Sequence, residues 1–547
     1  MDKPSVETKD LDHLGLVAGM CEQIKLIQVL DELVGPDERE VSVGQAVQAM
    51  VLNGLGFVGR ALYLTPEFFR TKPVERLIGP GIRAEQLNTH SLSRALDRLY
   101  EVGVTEVFAS VASQALHQVG IRPKTIHLDS TSFALQGEYD RDPAEEVEAI
   151  EVRHGYSRDH RPDLKQVVLS LICTHEGAIP TWLQALSGNS ADSGTFPSTI
   201  RAYLAAFEEK PDDPPPYVVA DTALYSSGML ADLGDQVPWI TRVPASIGIV
   251  KKLYEMSEPE TMLPVLDDAY RVLPLCTTYG EVRQRWVVVY SEPIQQRQVK
   301  TLRKRVTREY DEAAKALRKL GRREYPSQQA ALAAVDTLAE QWVFHSAQVT
   351  SFKQVPHYTQ RGRPATHQPP DYVTWQPVAQ PLEDDDAVQA RASRAGKFIL
   401  ATNDLDDQRL PVDQLITLYK GQNTTVERGF RFLKDPLFFA HSLFLKTPSR
   451  IMALLMVMGL CLLIYALTEH QLRHALRDHN ETVPDQLGKP TQSITLRRVF
   501  QMFEGIHVVT LQLSELVQQL VTNLDALHWQ ILRLLGPPFE KMYLPHS

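Results

Sequence analysis

The spacing of apolar residues changes several times along the chain. From Leu14 to Leu33, across Val43–Leu55 and over Ser91–Tyr100, they recur at helical intervals, which predicts packed helices up to about residue 115. Short apolar runs then take over. Thr125-Ile-His-Leu-Asp129, Val167–Thr174, Ala178–Leu186, Tyr217-Val-Val-Ala-Asp221 and Trp239-Ile240-Thr241 read as strands, with a turn at His175-Glu176-Gly177. Helical stretches at Phe196–Phe207 and around Met229 separate the last three. The order strand, strand, strand, helix, strand, helix, strand predicts an α/β core.

Beyond about Ala245 the chain leaves this pattern. It carries a strand near Val287–Tyr290, a basic helix within Arg297–Arg323, an Ala-rich helix at Gln328–Trp342 and a Pro-rich loop from Arg363 to Pro381. A strand at Phe398-Ile-Leu-Ala-Thr402 returns to the core. Ile451–Leu467 is a run of 17 residues without a charge. That is short for a membrane span of about 20 residues, and a helix buried on all sides fits better. The tail after about Arg473 reads as helical.

Three acids stand out against this background. Asp129 and Asp221 end the first and fourth strands, where α/β sheets open their ligand crevice; a turn-forming Asp is the plain alternative for either one. The third lies in Tyr419-Lys-Gly-Gln422-Asn-Thr-Thr-Val-Glu427-Arg428-Gly-Phe-Arg431-Phe-Leu-Lys434. Asn423 or Thr424 is placed to cap a helix start. Val426, Phe430 and Leu433 then form an apolar stripe, and Glu427, Arg431 and Lys434 repeat the spacing one residue later. Such a face presents one acid and two cations, suited to a metal ion beside a phosphate backbone.

Taken together, these segments resemble the RNase H-like core of DDE transposases from bacterial insertion sequences. The Glu427 segment is similar to their tyrosine-arginine-glutamate-lysine signature. Tyr419 matches, and Glu427 and Lys434 keep the six-residue gap. Gln422 stands where Arg is expected, and the Tyr-to-Glu interval is one residue longer; Arg428 or Arg431 is the candidate replacement cation. The segments His154-Gly-Tyr-Ser-Arg-Asp-His-Arg-Pro-Asp-Leu-Lys165-Gln and Ile240-Thr-Arg-Val-Pro244 also resemble stretches of one branch of these enzymes. The likeness runs from about Leu14 to about Leu511.

The resemblance implies a mixed sheet with flanking helices, interrupted by an insertion domain and preceded by an N-terminal helical domain. The expected division is a DNA-binding helical block at 1–115, the core at 116–244 and 396–475, the insertion at 245–395 and a helical tail at 476–547. It also implies cut-and-paste chemistry, in which cleavage at the element ends frees a 3′-OH that joins target DNA. Asp129, Asp221 and Glu427 would hold two Mg²⁺ ions, with Mn²⁺ able to substitute, since hard cations prefer oxygen ligands. Tyr419, Gln422, Arg428, Arg431 and Lys434 would contact DNA. The expected partners are double-stranded DNA, as terminal inverted repeats and target, and a second copy in a homodimer on DNA. A metal-dependent nuclease of the same fold, or an inactive DNA-binding descendant, are the alternatives.

Composition limits these expectations without overturning them. The 547 residues are 43% hydrophobic and 23% charged, ordinary for a soluble multidomain chain. The start Met-Asp-Lys-Pro-Ser-Val-Glu lacks the character of a signal peptide, so a cytoplasmic, nucleoid-associated protein is expected. Cys21, Cys173, Cys276 and Cys461 are scattered without metal-ligand spacing. The net charge of −10 argues against DNA binding only if charge is evenly spread. It is not: Arg297–Arg323 holds eleven cations, Arg303, Lys304 and Arg305 among them, against Glu309, Asp311 and Glu312. That helix is expected to touch phosphates. His90–Leu99 is equally suited to DNA contact and to bundle packing.

Overall fold

The computed structural model describes residues 5–545 apart from 37–38, 58–61, 138, 140–149, 160, 208–213, 361, 363–366, 436–446 and 514–515. The start of the loop at Pro211, His160 and the first residues of the Pro-rich loop at Arg363 lie outside the described residues.

One nine-stranded sheet organises the molecule. In sheet order its strands are Pro180–Ser187, Lys165–Thr174, Thr125–Leu135, Tyr217–Ala220, Trp239–Arg242, Lys397–Thr402, Val282–Tyr290, Tyr270–Tyr279 and Leu263–Val265. The first three in the chain form an antiparallel meander, turned between the second and third at Gly177, whose φ of +77° suits a residue without Cβ. The Thr125–Leu135 strand then pairs in parallel with Tyr217–Ala220, and that strand with Trp239–Arg242. Parallel pairing needs crossovers, supplied here by the helices Asp192–Phe207 and Ser227–Leu233. The central strands are buried on both faces: Val218, Val219, Ala220, Ile399, Leu400 and Ala401 are all fully buried. The expected α/β sheet, with an RNase H-like order for its first five strands, is therefore present.

The excursion from the core differs from expectation. Strands Tyr270–Tyr279 and Val282–Tyr290 continue the same sheet, because Val287, Val288 and Val289 pair with Leu400, Ile399 and Phe398. The chain leaves the sheet only at the helix Glu292–Leu320. This helix lays Leu302, Val306, Ala313 and Leu317 inward and packs along the long hairpin His345–His357/Tyr372–Glu383. Its cations face outward.

The two chain ends share one core. Tyr543 packs on Gly15, where a Cβ would stand 2.6 Å from its ring, and Phe539 packs on Gly19 in the same way. The tail is not wholly helical: His507–Leu513 and Leu516–Thr522 pair with each other, and Ser5–Asp10 adds to their edge. The helix Pro448–Asp478 runs through this core. It is long and apolar enough to cross a membrane, yet 94% of its most apolar window is buried inside the protein. At Gly459 the side chains of Leu183 and Phe108 close onto its backbone. The helix Thr89–Val102, capped by Asn88, packs against it through Leu92, Ala95, Leu96 and Leu99.

Candidate active site

Parallel register brings the first two acids side by side. Leu128 pairs with Ala220, and Asp129 and Asp221 are the next residue on each strand. The Thr125–Leu135 strand continues past the acid along its antiparallel neighbour. Asp129 therefore stands mid-strand, at the step where its parallel partner ends. Asp221 leaves its strand as the cap of the turn Thr222–Leu224, accepting from the Ala223 N–H at 2.9 Å. Its carbonyl accepts from Thr241 Oγ1 at 2.6 Å, which ties it to the next strand. There Val219 pairs with Ile240; two steps on, Arg242 falls beside Asp221.

The third acid arrives on the helix Val426–Leu433, which packs on the Asp129 strand. Val426, Phe430 and Leu433 are buried, as their spacing predicts, and Glu427 sits in the first turn, where the helix dipole favours a carboxylate. The expected cap is absent. Thr425 occupies the cap position, but its hydroxyl caps no helix N–H and donates instead to the Gly421 carbonyl at 2.9 Å. Asn423 instead lies beside Glu427, and with its amide nitrogen assigned to the side facing the carboxylate it donates to Oε1 at 2.9 Å. Tyr419, on the helix Val412–Lys420, links the acids: burial raises its hydroxyl pKa most, the Asp221 and Glu427 carboxylates raise it further, and Arg242, hydrogen-bonded to it, works the other way. One phenol thus stands in the fields of two of the acids and one cation.

Family models match most of the chain. Residues 6–113 match a domain of unknown function, DUF4277, and residues 122–464 match the transposase DDE domain. The chain belongs to the DDE transposase family. A member of this family is a DNA-cleaving enzyme that acts on DNA, typically with divalent metal ions. No curated protein matches the chain. The cryo-EM structure of a piggyBac transposase synaptic complex with hairpin DNA is similar at 9% identity and a TM-score of 0.38, covering 91% of this chain and 82% of that one. A likeness that loose carries no part of the assignment.

In this DDE transposase the carboxylates share one end of the sheet without closing into a ligand cluster. Among the described residues, no group of three His, Cys, Asp or Glu is gathered tightly enough to hold a metal ion. Each acid is satisfied separately. Asp129 accepts from the Ser130 N–H at 2.7 Å and faces Arg158 at 3.4 Å; Asp221 caps its turn; Glu427 takes the Asn423 amide. Like charges approach one another only when a cation lies between them. Hard oxygen donors from three elements, one already carrying a guanidinium, fit a divalent cation chemically.

The predicted DNA-contacting residues divide. Lys434 stays near the acids, bonded to Asp159 at 2.7 Å and lying over the Phe133 ring. Arg431 is exposed and donates to the Asn423 carbonyl at 3.3 Å. Gln422 is buried. Arg428 turns away to Glu469 at 2.5 Å, a carboxylate that is 4% exposed and also holds Arg473 at 3.0 Å. Arg303 pairs with Glu383 at 2.8 Å but remains exposed, as do Lys304 and Arg305. The buried His127, two residues before Asp129, bonds to His175 at 2.9 Å. Burial, aided by His175, pushes the His127 pKa down to about 3, so it is neutral at working pH. Arg158 and Arg242 lie in the two segments that resemble the family, and Asn423 was expected as a cap, but none of the three was predicted as a site residue. Strand register would have found Arg242, one strand over from Asp221.

Proposed function

We propose that this protein is the transposase of a bacterial insertion sequence, cutting at the ends of its element and joining the freed 3′-OH to target DNA. The observation that carries the reading is the register Leu128 to Ala220, which aligns Asp129 with Asp221 while Tyr419 feels both Asp221 and Glu427. Asp129, Asp221 and Glu427 would hold two divalent ions, Mg²⁺ by their oxygen chemistry. When bound, such ions stabilise the attacking and leaving oxygens of an in-line phosphoryl transfer.

The chain's own residues do the rest. Tyr419, kept protonated by burial and two carboxylates, donates its hydroxyl proton to a phosphate oxygen. Arg242 supplies the cation that the sequence lacks at Gln422. Lys434 and Arg431 hold the backbone beside the cut, and Arg428 braces the Glu427 helix against Glu469. The outward cations of the insertion helix, together with the N-terminal block, add phosphate contacts. Two copies pair on two DNA ends, because closed two-fold symmetry is the commonest way to present identical sites together. Action on the chromosome places the protein in the cytoplasm.

The test is a strand-transfer assay with the purified protein, Mg²⁺, DNA bearing the inverted repeats that flank the coding sequence, and a target plasmid. Joined products are expected. Cleavage without joining would make it a nuclease, and binding alone would make it an inactive descendant.

A further inference from the structure

The segment from Arg153 to Asp159 runs beside the acids and has an unusual build. Its backbone is pinned. Arg153 bridges to Gln166 in the sheet. The buried Gln166 side chain donates to the Tyr156 carbonyl at 3.2 Å and to the Gly188 carbonyl at 2.7 Å. Gly155 packs so closely that a Cβ would lie 2.0 Å from the Gly188 carbonyl oxygen. The Arg158 N–H donates to Ser132 Oγ at 3.1 Å, and Asp159 is held by Lys434. Yet the side chain carried at this fixed point is almost wholly in solvent. Tyr156 is 87% exposed, more than any other large apolar side chain among the described residues.

Two residues on, Arg158 reaches the catalytic strand. Its guanidinium meets Asp129 at 3.4 Å and Ser130 Oγ at 3.1 Å. An aromatic ring held out on a rigid backbone, beside an arginine at the strand that carries a candidate metal ligand, is the pairing that single-stranded nucleic acid requires. The ring offers a stacking face, which any base can use. The guanidinium offers a two-pronged phosphate donor. A base can reach such a face only when it has left the duplex stack, so the ligand this pairing fits is an unpaired base beside a phosphate.

We propose that Tyr156 and Arg158 form a nucleic-acid site at the rim of the active centre: Tyr156 stacks on a base unpaired beside the cut, and Arg158 takes the adjacent phosphate. In the DNA-free protein Arg158 rests on Asp129. On DNA its guanidinium would turn to the phosphate, leaving the Asp129 carboxylate able to hold a metal ion. This rests on the active-site reading above, but its test does not need cleavage.

The experiment is an anisotropy titration in chelator, with two probes. One is a duplex ending in the element's terminal repeat, and the other is the same duplex with its terminal bases unpaired and 2-aminopurine at the first of them. The wild type and Tyr156→Phe should prefer the unpaired end and quench the 2-aminopurine. Tyr156→Ala should lose the quenching and about tenfold of the preference, the size of one base–aromatic stack. Arg158→Gln should weaken both probes and lower the log–log salt slope by about 0.9 on the paired end. Full preference and quenching in Tyr156→Ala, or an unchanged slope in Arg158→Gln, would overturn the proposal. Tyr156 lies in solvent, so its variants should fold. A wrong assignment of the acids would show instead as cleavage by Asp129→Asn and would leave these titrations readable.

Discussion

The acid-bearing end of the sheet and the basic helix Glu292–Leu320 both gather charge, but they do so in opposite ways. At the sheet end nearly every charge is held by another protein group: Arg158 by Asp129, Lys434 by Asp159, Arg428 by Glu469, Glu427 by Asn423. On Glu292–Leu320 the cations stand in solvent around a narrow buried stripe, with ion pairs such as Arg303–Glu383 and Arg308–Glu312 at the surface. Fixed charges give geometry, which phosphoryl transfer needs to within fractions of an ångström. Loose charges give a field, which is enough to attract a phosphate backbone of any sequence. On the proposed reading, a chain of net charge −10 can serve DNA because its attraction is local and its chemistry is separately placed.

The comparison breaks most visibly at the acids. Asp129→Asn, Asp221→Asn and Glu427→Gln should each lower cleavage by on the order of a thousandfold or more while sparing folding and most end binding, since each removes a ligand from a site worth several kcal/mol. Substantial cleavage by a purified variant removes that residue from the site.

Arg428 tests whether the fixed side is structural. Arg428→Met leaves the buried Glu469 with only Arg473 and the Leu496 N–H. It should cost about 2 kcal/mol in urea unfolding, with the salt slope of DNA binding unchanged. Normal stability with a reduced slope would move Arg428 to the DNA side.

The loose side should show the reverse. Replacing Arg303, Lys304 and Arg305 with Gln should change stability by no more than about 0.5 kcal/mol. The log–log salt slope should fall by about 0.9 for each lost phosphate contact. An unchanged slope would mean that this helix faces something other than DNA.

The last effect appears only below neutral pH and concerns His127. Its folded pKa of about 3 lies below the ordinary 6.5 of a histidine, so the unfolded state binds the proton first. The stability it confers is complete above about pH 6.5 and declines as pH falls toward 3, by up to about 1.4 kcal/mol per pH unit. In His127→Gln, unfolding followed across that range should show a shallower decline. An identical slope would mean that His127 is not the group taking up the proton.

How much of this was legible in the sequence depends on how local the signal was. Asp129 and Asp221 could be put forward because each closes an apolar run, and Val426, Phe430 and Leu433 announced their own helix. Arg242 could not be read, since only its pairing across from Asp221 reveals its place. The start of the insertion was misplaced because Tyr270–Tyr279 carries Pro274 and alternates weakly, and it joins the sheet through Val282–Tyr290. The tail strands escaped although they pair with each other, because Leu513, Leu516, Val517, Leu520 and Val521 also fit helical spacing. Asn423 has the composition of a cap, and only tertiary structure shows that it serves Glu427 instead.

The central claim is that Asp129, Asp221 and Glu427 form one metal centre. Iron-directed cleavage of the polypeptide tests it most directly. The protein is loaded with Fe²⁺ in place of Mg²⁺, exposed to ascorbate and peroxide, and the fragments are mapped by mass spectrometry. The account predicts backbone cuts clustered at three separate places in the chain, near residues 129, 221 and 427. They should appear together, be suppressed by excess Mg²⁺ and be lost together in Asp129→Asn. Cuts confined to one of these places, or clustered elsewhere and indifferent to Asp129→Asn, would contradict it.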